Sequence, residues 1–403
     1  MLSYDFNFVN NYLGNYFEFV TLNVIISILR YIMQRKITIF DGAMGTILYG
    51  KGIISECTEV INLNNPDIIS DIHKSYAESG AMYVKTNTFG GSALKLMKSG
   101  NDSFAFEINY EAYQLARSSG AKVAGDIGPS GEIYSPYGSV STLDIYNSFL
   151  IQVLALKDSD MFLIETMSSL VEANLAYLAI RSINREVPVI ISFTYDKGYT
   201  MMGCSPELIA KATNALDIYA IGTNCSGGPV ELLDVVKSYK ANSIHKISAM
   251  PNAGLPVLKG DNIEYPFKVS DFKAAMIEIV NAGADIIGGC CGTTPEHIKA
   301  IKDIESNSED IVNDDKTIYI ATESKFRDTL DAITCLPNDD EILKIEDEGK
   351  IARIDVRGII ELEEYFNNLN QLSPVPKCFI GREEQELLIR ILYQGITDVK
   401  IEQ

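Results

Sequence analysis

The chain has 403 residues, 46% of them apolar and 22% charged, which suits one large soluble domain with a smaller companion. A formal net charge of −20 argues against nucleic-acid and anionic-membrane partners, because both require clustered lysine and arginine. Seven cysteines, and no positively charged leader in MLSYDFNFVNN, point to free thiols in a reducing cytoplasm rather than a disulfide framework.

In chain order, the first feature is the apolar run 17-FEFVTLNVIISILRYIM-33. Its uncharged stretch, Phe19 to Leu29, falls well short of the ~20 residues that cross a bilayer, and Glu18 and Arg30 bracket it. Residues 1–35 are expected to form an extension lying against the main domain, or to fall outside the natural protein, with Met33 as a natural start.

Beyond it, short Ile- and Val-rich runs alternate with segments of three- and four-residue apolar spacing, the pattern of βα units. The predicted strands are 37-ITIFDG, 81-AMYVKTNTF, 122-KVAGDIG, 161-MFLIETM, 187-VPVIISFT, 219-YAIGTNC, 246-KISAMPNAG and 284-ADIIGGCCG. Segments between them, such as 170-LVEANLAYLAIRSI and 271-DFKAAMIEIVNAG, read as helices, several of which close on Gly. Strand–helix units over 36–303 predict an α/β fold, a (β/α)₈ TIM barrel, whose usual size is ~250 residues. A doubly wound open sheet should carry G-x-G-x-x-G after its first strand, and that fingerprint is absent.

Asp41, Asn87, Asp126, Glu165, Thr194, Asn224, Cys225, Asn252, Cys290 and Cys291 collect at the C-terminal ends of these strands. A barrel carries its catalysts on that face. Each residue alone reads equally as a turn residue or structural hydrogen-bonder, so the signal lies in their convergence.

Cys225 closes the sixth strand, and Cys290 and Cys291 close the eighth, so both sites flank the seventh. Three thiolates with one open position is the plan of a catalytic zinc site. Neighbouring strand residues face opposite ways, so Cys290 and Cys291 reach one ion only where the backbone leaves strand geometry. Gly288, Gly289 and Gly292 supply that freedom. Small, buried, inert thiols are the competing reading, and the spacing alone leaves both open. Cys57, Cys204, Cys335 and Cys378 read as structural, as do His73, His245 and His297.

Taken together, 40-FDGAMGTIL-48, 125-GDIGPSG-131, 165-ET-166, 222-GTNCSGGP-229, 251-PNAGLP-256 and 288-GGCCGTTPEHI-298 resemble the homocysteine S-methyltransferase family. The likeness covers about residues 36–303 and is greatest to the homocysteine-binding domain of cobalamin-dependent methionine synthases. It implies that Cys225, Cys290 and Cys291 bind Zn²⁺ and that homocysteine sulfur takes the fourth position. It also implies that Asp41 and Glu165 hold the substrate ammonium, with the N–H groups of Gly42, Ala43 and Met44 near its carboxylate. Asn252, in the PNAG motif, would stand in as fourth ligand when substrate is absent.

The donor is expected to be methylcobalamin on a separate corrinoid protein, served by a methyltetrahydrofolate-binding partner, since Asp-x-His-x-x-Gly is missing and no histidine follows His297. The alternatives are a sulfonium donor such as S-methylmethionine, or a barrel that binds zinc and thiol without turnover. Residues 304–316 read as an acidic linker, and 317–403 as a small α/β domain of unassigned role. Its expected strands are 317-TIYIATE, 351-IARIDV, 377-KCFIG and 396-ITDVKI, and 382-REEQELLIRILYQG is its expected helix.

Overall fold

The computed structural model describes residues 36–401 apart from 260–261, 307–318, 323–324, 329–331, 338, 349 and 373–375. The apolar run before residue 36 and most of the acidic linker lie outside the described residues.

Eight parallel strands form one sheet: β1 (Thr38–Ile39), β2 (Tyr83–Lys85), β3 (Lys122–Ile127), β4 (Met161–Met167), β5 (Val189–Phe193), β6 (Ala220–Cys225), β7 (Lys246–Pro251) and β8 (Ile286–Ile287). Consecutive strands pair from β2 to β8, and β8 pairs with β1. A parallel bridge between Phe40 and Tyr83 brings β1 back to β2, with Met82 N–H on Ile39 O at 2.8 Å and Asp41 N–H on Tyr83 O at 3.0 Å. The sheet therefore closes on itself as a barrel.

These strands read as nearly unbroken apolar runs because a parallel barrel buries both of their faces. Facing inward, Phe40, Ala124, Met161, Leu163, Ile190, Ala220, Met250 and Ile286 fill the interior as one cluster. The other face of the strands packs against a ring of helices, α1 (Pro66–Glu78), α2 (Ala105–Arg117), α3 (Thr142–Ala155), α4 (Leu170–Ile183), α5 (Pro206–Thr213), α6 (Pro229–Asn242), α7 (Val269–Asn281) and α8 (Pro295–Ile301). Their starts are written in the sequence. Ser141, Ser169 and Ser205 each accept an N–H of the first turn, and Pro opens α1, α5, α6 and α8.

Every predicted barrel strand is present, with two differences. β8 is two residues long, so Cys290 and Cys291 lie beyond it. An unforeseen hairpin, Val257–Lys259 with Asn262–Glu264, interrupts the segment between β7 and α7.

The C-terminal region holds a second parallel sheet of β9 (Ile333–Cys335), β10 (Ala352–Asp355), β11 (Cys378–Gly381) and β12 (Val399–Ile401), ordered as in the chain. α9 (Asp339–Asp347), α10 (Leu362–Leu372) and α11 (Glu386–Leu392) connect the strands and bury Ile342, Phe366 and Ile389 against the sheet. Three details depart from expectation. β9 was not foreseen, and the helix ends at Leu392 rather than Gly395. The strand from 317-TIYIATE pairs outside this sheet, as Tyr319–Ala321 against Phe326–Asp328.

α11 leans on α3 and α4 of the barrel. Ala321, Ile391 and Ile396 join the barrel's own apolar cluster, and Asn174 Nδ2 donates to Gly395 O at 3.1 Å.

Candidate active site

At the C-terminal end of the barrel, Asp41, Gly42, Ala43, Met44, Asn87, Asp126, Glu165, Cys225, Cys290 and Cys291 line one cavity of about 300 Å³. The Sγ atoms of Cys225, Cys290 and Cys291 lie within 4.8 Å of one another. Cys225 is the last residue of β6, in the left-handed region at φ 58°, and Ser226 follows at φ 51°. Such backbone is costly for residues with a side chain and concentrates at functional sites.

The glycines beside the cysteines act in two ways. Gly292, at φ 79°, turns the chain after Cys291, and a Cβ there would sit 2.1 Å from Cγ of Tyr265. Gly289 instead permits close approach, since a Cβ would meet Thr293 Oγ1 at 2.3 Å. Thr293 fastens this turn by donating to Cys290 O at 2.7 Å, and it accepts the N–H of Ala43 at 3.1 Å.

Within the trio, hydrogen bonds from Cys290 and then Cys291 hold the Cys225 thiol below its ordinary range, and Cys291 is pushed far up by the same contacts. The three sulfurs are thus close enough to share protons, which is the geometry a thiophilic cation would exploit. Asn252 directly follows β7, with its Oδ1 buried and without a hydrogen-bond partner, and its side chain reaches Cys225. This donor set suits Zn²⁺: three sulfurs, a neutral oxygen donor beside them, and an open side toward the cavity.

The acidic wall is more crowded than the sequence suggests. Asp41, Asp126 and Glu165 are all buried, and Oδ1 of Asp41, Oδ1 of Asp126 and Oε2 of Glu165 have no hydrogen-bond partner. Burial pushes Asp41 and Glu165 up to about 7, and lifts Asp126 well above its ordinary range.

Among them stands Lys85, from the end of β2, which sequence reasoning missed. Its Nζ lies 3.7 Å from Glu165 Oε2 and 3.9 Å from Asp41 Oδ1, and it donates to Gly289 O at 3.2 Å. Its backbone N–H holds Asp41 Oδ2 at 3.0 Å. The one available signal was a lysine ending a run whose neighbours all read as buried. Tyr265 was also missed; its hydroxyl lies beside Cys291.

Other predicted rim residues are supports. Asn224 accepts Thr166 N–H at 2.9 Å and Ser192 Oγ–H at 2.7 Å, and Thr194 pairs with Ser226 at 3.0 Å; neither lines the cavity. Asn87 lines it but spends its Nδ2 on Thr58 O and Asn62 Oδ1. His73, His245 and His297 do not line it. All seven cysteines are free thiols, and no helix among the described residues is long and apolar enough to cross a membrane.

Comparison with known proteins agrees with this architecture. Methionine synthases of Mycobacterium leprae and Mycobacterium tuberculosis are each 29% identical to the chain, over 293 and 294 residues, or 67% of it. The chain spans about a quarter of their length, 24% and 25%. Structures of the homocysteine methyltransferase MmuM from Escherichia coli share the fold. The oxidized form matches at TM-score 0.56 and 22% identity, covering 66% of this chain and 95% of that one. The metallated form matches at 0.55 and 21%, covering 66% and 96%. The family model for homocysteine S-methyltransferases matches residues 38–304. The chain belongs to the homocysteine S-methyltransferase family.

Proposed function

We propose that the protein transfers a methyl group to the thiol of homocysteine, giving methionine, at a zinc ion held by Cys225, Cys290 and Cys291. The observation that carries this reading is the convergence of those three sulfurs, within 4.8 Å, on a cavity also lined by carboxylates whose buried oxygens have no hydrogen-bond partner. When bound there, zinc would supply the positive charge that keeps a coordinated thiol deprotonated at neutral pH.

The protein's own residues do the rest. Asp41 and Glu165 take the substrate ammonium on the oxygens that have no hydrogen-bond partner. The turn from Gly42 to Met44 faces its carboxylate, although the Ala43 N–H is already engaged by Thr293. Asn252 offers its free Oδ1 when substrate is absent. With the sulfur already deprotonated, attack on the methyl carbon needs no general base, in keeping with a cavity that no histidine lines.

The methyl donor in this reading is methylcobalamin carried by a separate corrinoid protein, recharged by a methyltetrahydrofolate-binding partner. Exposed apolar side chains at the barrel mouth support a protein donor: Ile54, Tyr137, Met201 and Leu258, in the loops after β1, β3, β5 and β7. Residues 36–303 form the catalytic unit in this proposal, and 317–403 a unit beyond the 304–316 linker.

Methionine formation by reduced, zinc-loaded protein, with methylcobalamin and S-methylmethionine compared as donors, tests it. Turnover with methylcobalamin is expected. Turnover with S-methylmethionine alone would overturn the corrinoid assignment, and no turnover with either, despite thiol binding, would leave a non-catalytic barrel.

A further inference from the structure

We propose that Lys85 determines specificity by reading the carboxylate of the substrate's head group, so that the cavity selects α-amino-acid thiols over simple aminothiols. The inference rests on the reading that a thiol binds at the three-cysteine site.

Lys85 is buried, yet its bonding is incomplete. An ammonium has three donors, and one is spent on Gly289 O at 3.2 Å. Glu165 and Asp41, at 3.7 and 3.9 Å, are ion-pair neighbours beyond hydrogen-bonding length. Of the carboxylates around it, Asp41, Asp126 and Glu165 each keep one buried oxygen without a hydrogen-bond partner. Buried polar groups are normally bonded, so donors and acceptors left open together in one cavity describe what is missing from it.

The missing group carries both charges. Cationic donors and anionic acceptors stand within 4 Å of each other on the same wall. In an α-amino acid the ammonium nitrogen and a carboxylate oxygen are separated by roughly 3 Å, being bonded to adjacent atoms of the head group. Such a head group can place its ammonium against the open carboxylate oxygens while its carboxylate accepts from Nζ of Lys85. The turn at Gly42–Met44 does not make the lysine redundant, because the N–H of Ala43 already donates to Thr293 Oγ1. Lys85 and the three cysteines line the same cavity, so one ligand can meet both.

The test uses the full chain loaded with Co²⁺, whose sulfur-to-cobalt absorption reports thiol binding independently of turnover. Three ligands are titrated: homocysteine, 3-aminopropane-1-thiol, which lacks only the carboxylate, and 4-mercaptobutanoate, which lacks only the ammonium. Native protein is expected to prefer homocysteine to the aminothiol by about ten- to a hundredfold, the range of one hydrogen bond to a charged group. Lys85→Met should bind the two alike, while Lys85→Arg keeps much of the preference.

Cobalt stoichiometry checks that each variant holds its site. If Lys85→Met does not, Lys85→Gln takes its place with the same outcomes. A preference that survives loss of the lysine overturns the inference. So does tighter homocysteine binding in Lys85→Met, which would make Lys85 a competitor of the substrate ammonium. A cobalt spectrum that no thiol alters would sink the metal–thiol reading itself, and this inference with it.

Discussion

Among the described residues two lysines are buried, Lys85 at the barrel mouth and Lys377 beside β11, and they are held in opposite ways. Lys377 meets one carboxylate, Glu346, at 2.8 Å, and its backbone is tied by Tyr393 Oη at 3.0 Å and Thr397 Oγ1 at 2.5 Å. Lys85 faces more carboxylates, and none is closer than 3.7 Å. Burial works against the charge of both. It prevails at Lys377 over the single Glu346, whose pull is smaller, and leaves that lysine below its ordinary range. At Lys85 the Glu165 and Asp41 carboxylates together outweigh it, and the ammonium is held well above. The pair in the C-terminal unit is closed, as structural ion pairs are. The cluster at the mouth is open and short of partners, which a binding site requires and a core does not tolerate.

The largest effect expected from breaking this contrast is at the mouth. Cys225→Ser should lose bound metal and methyl transfer together, with turnover down by at least about a thousandfold, about 4 kcal/mol in barrier. Metal analysis beside a methionine assay checks it, and an active, metal-free variant would break the mechanism.

The closed pair should matter for stability instead. Glu346→Ala removes the carboxylate 2.8 Å from a buried ammonium and should cost about 3–5 kcal/mol by urea unfolding. Replacing both partners, as Lys377→Met with Glu346→Leu, should restore most of that. An equal loss in the double variant would mean that shape rather than charge is at stake.

An open acidic cluster should also make stability pH-dependent. Asp41 and Glu165 are raised to about 7 from 3.8 and 4.5, chiefly by burial. The folded protein therefore keeps protons that the unfolded chain releases. This contribution is whole below about pH 4 and fades as pH rises through 7, by on the order of 3 kcal/mol for each group. Glu165→Gln should flatten the slope in unfolding of the metal-free protein between pH 4 and 8, and an unchanged slope would place its origin elsewhere. Smallest of all, Tyr265→Phe removes the hydroxyl beside Cys291 and should weaken metal binding about tenfold, read by chelator competition.

The barrel was legible because its strands are buried on both faces, which forces Ile and Val runs that end in polar residues on a common rim. The cysteine trio was legible for the same reason: β6 and β8 flank β7 in any such barrel. Lys85 was not, because a lysine at the end of 83-YVK reads as solvated until the burial of its neighbours just after β1, on β4 and just after β8 is known. The left-handed backbone at Cys225 could not be foreseen either, since no glycine marks it. Thr194 and Asn224 share the rim's chemistry but turn toward Ser226 and Thr166, a choice made by side-chain packing. β9 escaped because three residues ahead of Pro337 carry too little pattern to read.

Zinc-edge X-ray absorption with and without homocysteine would show whether a substrate thiol completes a metal site built by Cys225, Cys290 and Cys291. Three sulfur neighbours are expected in the protein alone and a fourth when homocysteine is added. A site with fewer protein sulfurs, or one to which homocysteine adds none, would contradict that reading.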